Sequence, residues 1–144
     1  MGALTIPASG SVYVDANVVI YAVEKIVPYA PLLDPLWSAA QSGRVEIVTS
    51  ELTWLEVLAK PLMDGDAELE SLFRSYLKSK EIALVPASLA IWEDAAKLRG
   101  IGLRTPDALH AATAAAAGCT LFVTNDRTFT RVPGLTVTML SDLI

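Results

Sequence analysis

Short apolar runs alternate with longer segments of helical periodicity along the whole chain. Runs at residues 12–15, 44–50 and 82–86 each lead into a segment whose apolar residues recur at helical spacing. A fourth run at 120–124 follows an alanine-rich helical segment, and residues 135–140 make a fifth. Strands that alternate with helices predict a parallel sheet whose two faces are both covered by helices.

Two further helices are predicted from their first residues. One covers residues 35–42, with Asp34 as its N-cap, and the other covers 66–79 and is opened by Asp66. The length of 144 residues fits one domain. Residues 1–10 lack a basic segment followed by a long apolar one, so we interpret them as a flexible leader and expect a single domain over 11–144.

Residues 108–125 contain no Lys, Arg, Asp or Glu, which raises the question of a membrane span. A span needs about 20 strongly apolar residues. Alanine dominates the first half of this segment and Gly118 interrupts it, so we predict a buried helix followed by a buried strand, and no membrane partner. The single cysteine, Cys119, excludes an internal disulfide or a cysteine zinc site and fits a reducing cytoplasm.

Acidic residues recur where the predicted strands end and the next helices begin. They are Asp15, Glu56, Asp107 and Asp126. Ligands of open parallel sheets bind at this edge. Like charges that converge in a cleft stay ionised only with a strong cation between them, and oxygen ligands select magnesium or manganese. The four acids together therefore predict a divalent metal site.

Each acid also has a structural explanation when it is taken alone. Asp107 stands in the first turn of a predicted helix, where an acid interacts favourably with the helix dipole, and we favour that explanation for Asp107 by itself. Glu56 could pair with Lys60 four residues on, although it lies beside the apolar stripe of its helix. Asp15 could cap a helix, and Asp126 could start a turn.

Four segments, DANVVIYA, TWLEVL, TPDALHAATA and TNDRTF, occur in this order between about Val12 and Leu140. Together they resemble the PIN-domain family, and within it the VapC-like toxins. The resemblance implies a three-layer α/β/α sandwich with a mainly parallel central sheet of about five strands. It also implies a metal-dependent endoribonuclease that hydrolyses RNA phosphodiester bonds.

The resemblance gives the catalytic and metal-binding roles to the four acids, Asp15, Glu56, Asp107 and Asp126, with one or two Mg²⁺ or Mn²⁺ ions. Thr124 and Asn125 match the family's strand-end motif as secondary site residues. Ala16 stands where many relatives have Thr or Ser, so a hydroxyl near the first acid is missing. Asn17 could orient Asp15 or serve as a capping residue, and we place it among the secondary residues.

Other polar residues stand near the acids in the sequence. His110 follows Asp107 by one helical turn, but a histidine on a helix face more often forms a local hydrogen bond, so we leave it out of the catalytic set. Arg104, Arg127 and Arg131 flank the third and fourth acids and could contact phosphate, although exposed arginines are usually only solvated.

Charge and composition bear on the partners. The formal net charge of −5 is unusual for a protein that binds nucleic acid, but two divalent ions would bring it to about −1. The resemblance implies an RNA substrate and a cognate antitoxin. Hydrophobic residues make up 53% of the chain. Residues 27–37 and the helices around Trp54 and Phe73 suggest more apolar surface than one core needs. We therefore expect a homodimer.

Two alternatives belong to other functional classes. In an aspartate-nucleophile phosphatase or phospho-acceptor domain, Asp15 would attack phosphorus. Such sites usually need a nearby lysine, and the candidates, Lys25 and Lys60, lie in predicted helices. In a non-catalytic PIN-like binding module the fold would persist with a degenerate site, and the presence of all four acids argues against that.

Overall fold

The computed structural model describes residues 2–144, and in it five strands form one parallel sheet. The strands are β1 (Ser11–Val14), β2 (Glu46–Ser50), β3 (Ile82–Val85), β4 (Leu121–Thr124) and β5 (Val137–Met139). Their order across the sheet is β3-β2-β1-β4-β5, and each neighbouring pair is parallel. Val12 of the central strand β1 lies opposite Ile47 of β2 and Leu121 of β4. The predicted parallel sheet of about five strands is confirmed.

Helices fill the connections between the strands. They are α1 (Ala16–Glu24), α2 (Tyr29–Leu32), α3 (Asp34–Gln41), α4 (Glu51–Asp64), α5 (Ala67–Leu77), α6 (Leu89–Arg99) and α7 (Thr105–Ala116). Two 3-10 helices, Arg127–Arg131 and Leu140–Leu143, follow β4 and β5. The sequence pattern did not predict α2, because four residues are too few to show a helical period.

The two faces of the sheet carry separate hydrophobic cores. Successive side chains of a strand point to opposite faces. Val12 and Val14 of β1 therefore belong to the core formed with α1, α3, α4 and α5, while Tyr13 belongs to the core formed with α6 and α7. The result is the predicted three-layer α/β/α sandwich.

The helix starts agree with the sequence in one case and differ in another. Asp66 caps α5 as predicted, since its side chain accepts a hydrogen bond from the Leu69 N–H at 3.1 Å. The prediction that Asp34 caps α3 is wrong: the N-cap position is Leu33, and Asp34 is the first helical residue. Leu33 already has a helical conformation because it ends α2, so Asp34 never adopts the extended backbone of a cap.

The segment before β1 forms neither helix nor strand from residue 2 to residue 10. Gly2 donates a backbone hydrogen bond to the Leu143 carbonyl at 2.8 Å, and Leu4 is buried in the core on the α1 side of the sheet. The flexibility predicted for residues 1–10 and the domain boundary at residue 11 stay predictions, and Met1 lies outside the described residues.

Between residues 2 and 144, no single helix is long and apolar enough to cross a membrane. Residues 16–24 and 29–41 together reach the length and hydropathy of a span, but they are bent by 107°.

The helices around Trp54 and Phe73 expose apolar residues, as expected, but these two aromatic residues are not among them. Phe73 is fully buried in the core. Trp54 is half-buried, and the cationic groups of Arg74 and Lys78 lie 5.3 and 5.5 Å from its ring centroid. The exposed apolar residues of α4 and α5 include Leu55, Leu62, Met63 and Leu72.

Two leucines of α5 provide a matched test of this packing. Leu77 is 1% exposed and Leu72 is 50% exposed. Because Leu77→Ala removes buried methylene groups and leaves a cavity, we expect it to lower the free energy of unfolding by about 2–5 kcal/mol. Leu72→Ala should lower it by less than about 1 kcal/mol. Urea unfolding of both variants measures the difference, and equal losses would contradict the assigned burial.

Candidate active site

The carboxyl ends of β1, β2 and β4 lie at the same edge of the sheet because these strands pair in parallel. Asp15 follows β1 directly, Glu56 lies in the second turn of α4 after β2, and Asp126 lies two residues beyond β4. Asp107 is the third residue of α7. This edge is where the sequence predicted the metal site.

Asp15 is a buried carboxylate, 4% exposed, at the start of α1. Its Oδ1 accepts a hydrogen bond from the Val18 N–H at 3.2 Å, so Asp15 is also the N-cap of α1. Its Oδ2 accepts a hydrogen bond from the Thr124 hydroxyl at 2.5 Å. Burial raises the pKa of Asp15, whereas the hydrogen bond from Thr124 and the charge of His110 oppose that rise.

Thr124 connects Asp15 to Asp126. Its hydroxyl donates to Asp15 and accepts a hydrogen bond from the Asp126 backbone N–H at 3.0 Å. The Asp126 side chain in turn accepts from the Thr128 N–H at 2.9 Å and caps the 3-10 helix that follows β4. The last residue of β4 therefore fixes the positions of two acids.

The other two predicted secondary residues differ in their surroundings. Asn125 donates to the Tyr21 hydroxyl at 3.3 Å and accepts from the Ser141 N–H at 3.0 Å, so it joins α1 to the C-terminal 3-10 helix. Asn17 is exposed, and its side chain forms no hydrogen bond within residues 2–144. Within residues 2–144, Thr124 forms hydrogen bonds with two of the acids, and the side chain of Asn17 forms none.

Glu56 is held by a histidine rather than by the lysine on its own helix. Its Oε1 lies 2.7 Å from Nε2 of His110, while Lys60 pairs with Asp64 at 3.0 Å. His110 Nδ1 lies 2.5 Å from the hydroxyl of Tyr13, the buried aromatic residue of β1. His110 is a site residue that the sequence pattern did not predict. The available signal was its position three residues after Asp107, on the same face of α7.

Asp107 and Asp126 line one cavity of about 350 Å³. Gly102, Arg104, Thr128 and Arg131 complete its lining. Burial raises the pKa of Asp107, and the negative charge of Asp126 raises it further. Arg127, by contrast, pairs with Asp142 at 2.5 Å and is not among the residues that line this cavity.

The four acids influence one another electrostatically without forming a closed cage. Glu56 raises the pKa values of both Asp15 and Asp107 through its charge. Within residues 2–144, no three His, Cys, Asp or Glu side chains are arranged as a preformed metal site. Mg²⁺ usually keeps several waters and binds through one or two carboxylates. A set of hard, mutually repelling oxygen donors of this kind fits such an ion.

Known proteins share this architecture. The structure is similar to VapBC2 from Rickettsia felis bound to a promoter DNA fragment, with a TM-score of 0.73 and 20% identity over 90% of this chain and 98% of that one. It is similar to a toxin–antitoxin complex from Klebsiella pneumoniae, with a TM-score of 0.67 and 24% identity over 90% and 97% of the two chains. It is also similar to the PIN domain endonuclease Utp24, with a TM-score of 0.50 and 15% identity over 88% of this chain and 82% of that one.

At the level of sequence, the comparison with curated proteins gave no match. The family model of the PIN domain, however, matches residues 12–135, which include all four acids, Thr124 and His110. The match extends over most of the chain. The chain therefore belongs to the PIN domain family.

Proposed function

We propose that this chain is a metal-dependent endoribonuclease that hydrolyses RNA phosphodiester bonds and acts in the cytoplasm as the toxin of a toxin–antitoxin pair. The observation that carries the proposal is the arrangement of four acids at one edge of the sheet of a PIN domain, with Asp15 joined to Asp126 through Thr124. The similarity to chains from VapBC and toxin–antitoxin complexes supports the biological role.

One or two Mg²⁺ or Mn²⁺ ions would be held by Asp15, Glu56 and Asp107, with Asp126 completing the site directly or through water. The bound metal supplies activation of a water molecule and stabilisation of the leaving 3′ oxygen. Asp15 supplies a carboxylate whose two oxygens are both fixed by hydrogen bonds, so its orientation does not depend on the substrate.

Arg104 and Arg131 supply the positive charge of the same cavity. Both line it together with Asp107 and Asp126, and neither forms an ion pair within residues 2–144. Guanidinium groups are well suited to bidentate contacts with phosphate oxygens. We assign these two arginines to the phosphate groups of the RNA, while the acids repel the RNA until divalent metal is present.

The proposed protein partners are a cognate antitoxin and a second copy of this chain. An antitoxin segment with basic residues would complement the acidic edge and the net charge of −5. The homodimer rests on α4, whose solvent-exposed apolar residues recur at i, i+4, i+7 and i+8. These residues are Leu55, Ala59, Leu62 and Met63. A second apolar stripe on a helix that already buries Val57 and Leu58 in the core is typical of an interface.

The phosphatase alternative finds less support. A covalent aspartyl-phosphate site needs a cation close to the nucleophile, but Lys60 pairs with Asp64 on an exposed face of α4, and Lys25 is an exposed residue at the C-cap of α1. Trapping of an acyl phosphate on Asp15 would restore this alternative.

Cleavage of RNA tests the central proposal. We expect the wild-type chain to cut total RNA with Mg²⁺ or Mn²⁺ and to stop in EDTA. Asp107→Asn should reduce the rate at least about 100-fold because it removes a charge that the metal needs. Asp94→Asn is the matched control, since Asp94 lies on α6 and forms only an exposed ion pair with Lys97. Undiminished cleavage in EDTA, or an active Asp107→Asn variant, would refute the proposal.

Thermal unfolding tests the shared metal site. Because burial and, after it, the charge of Asp126 raise the pKa of Asp107, ionisation of Asp107 destabilises the metal-free fold as the pH rises through that pKa. At pH 7 in EDTA we expect Asp126→Asn to unfold about 1–3 °C above the wild type. Millimolar Mn²⁺ should stabilise the wild type more than this variant. An unchanged wild-type melting temperature with Mn²⁺ would count against a common site.

Light scattering tests the homodimer. We expect the isolated chain at micromolar concentration to have about twice the 15.4 kDa mass of the monomer. Combined Leu62→Lys and Met63→Lys substitutions should shift it to the monomer, because charges would then replace the exposed stripe of α4. Leu89→Lys, at an apolar position on α6 about as exposed as Met63, is the control. A monomeric wild type would reject the homodimer and leave the nuclease proposal intact.

A further inference from the structure

A continuous chain of hydrogen bonds runs from the end of β2 to Glu56. The Ser50 backbone N–H donates to the Tyr13 hydroxyl at 3.1 Å, that hydroxyl lies 2.5 Å from His110 Nδ1, and His110 Nε2 lies 2.7 Å from Glu56 Oε1. Tyr13 is fully buried and His110 is 3% exposed. This buried polar chain ends on one of the four acids, yet the proposed chemistry makes no use of Tyr13 or His110.

The imidazole of His110 is held at both of its ring nitrogens. Nδ1 lies at the Tyr13 hydroxyl, whose oxygen also accepts from the Ser50 N–H. An ionised carboxylate only accepts hydrogen bonds, so Nε2 is the donor toward Glu56. With one nitrogen at each partner, the ring is held in one orientation.

We propose that His110 is the positioning residue that holds Glu56 for divalent metal, with Tyr13 holding the ring of His110 in turn. The inference rests on the proposed function, because it takes Glu56 as a metal ligand. The hydrogen bond occupies Oε1 and leaves Oε2 without a hydrogen-bond partner within residues 2–144. Glu56 is partly exposed on α4, so without His110 its side chain would sample several rotamers.

Helix α7 thus has two functions at the site. Asp107 and His110 are three residues apart on it, so one face of one turn supplies an acid directly and positions a second acid from α4. The separation between Glu56 and Asp107 is therefore fixed by a rigid helical turn and one short hydrogen bond. Groups that hold a metal ligand through its second oxygen or nitrogen commonly change metal affinity by about 10–100-fold when they are removed.

Two amide variants that differ by one methylene group separate positioning from simple packing. The side-chain amide of His110→Gln reaches about as far as Nε2, so this variant keeps a donor for Glu56. The amide of His110→Asn reaches only about as far as Nδ1, so it contacts Tyr13 but not Glu56. Tyr13→Phe is a third variant that removes the anchor of the ring while leaving His110 and Glu56 in place.

The measurement is the Kd of Mn²⁺ for the metal-free full chain, by calorimetric titration with MnCl₂, beside urea unfolding of each variant in EDTA. We expect His110→Asn to raise the Kd about tenfold or more. The Kd of His110→Gln should stay within about threefold of the wild-type value, and the Kd of Tyr13→Phe should lie between those of the two amide variants. A purely structural role would lower the unfolding midpoint and leave the Kd of the folded variants unchanged.

An unchanged Kd in folded His110→Asn, or equal Kd values for the Asn and Gln variants, would overturn the positioning role while leaving the nuclease proposal standing. If His110→Asn does not fold, Tyr13→Phe decides, because an unchanged Kd there overturns the chain of positioning contacts. A wild-type chain that binds no Mn²⁺ would overturn the proposed function and this inference together.

Discussion

Burial of the Asp15 carboxylate at the end of the central strand is the constraint around which the edge of the sheet is organised. An unpaired ionised carboxylate in such a place costs several kcal/mol or more. The Val18 N–H and the Thr124 hydroxyl offset part of that cost, yet the pKa of Asp15 stays raised because burial outweighs them. The chain's own groups leave the negative charge incompletely compensated, which is the condition under which a bound cation stabilises a fold.

Two residues outside the acidic set organise the rest of the edge. Thr124 fixes Asp15 relative to Asp126 with one hydroxyl that both donates and accepts. His110 fixes Glu56 relative to α7, which carries Asp107. Tyr13 lies in β1 and Asp15 follows that strand directly, so the central strand contributes to both connections. Glu56 and Asp107 lie on α4 and α7, while Asp15 and Asp126 follow β1 and β4, so regular elements position all four acids.

Much of the fold and of the acidic edge was predictable from the sequence, because both depend on the local pattern of apolar and polar residues. Apolar runs marked the strands, and the parallel topology placed Asp15, Glu56, Asp107 and Asp126 at one edge without knowledge of any contact. The PIN domain match covers residues 12–135, which include all four acids.

The missed features depend on tertiary packing. The sequence offered Lys60 as a partner for Glu56 because four-residue spacing is visible along a helix, whereas His110 is 54 residues away and reaches Glu56 only through the packing of the fold. Asp34 was predicted as a cap because the preceding short helix α2 has no visible period. The sequence indicated surplus apolar residues on the helices around Trp54 and Phe73 but not which of them face the core, because hydrophobicity alone does not distinguish a core face from an outer one.

The alanine content of α7 has a consequence for variation in this protein. Four of its alanines are fully or almost fully buried: Ala108, Ala111, Ala112 and Ala114. Small side chains let the helix lie close to α6 and β2, and a larger residue at any of these positions would push the helix outward. Asp107 and His110 would move with it. A substitution at one of these buried positions that retains the fold would thus change the spacing of the acids. A genetic screen for loss of activity would therefore recover well-folded but inactive variants with substitutions in α7.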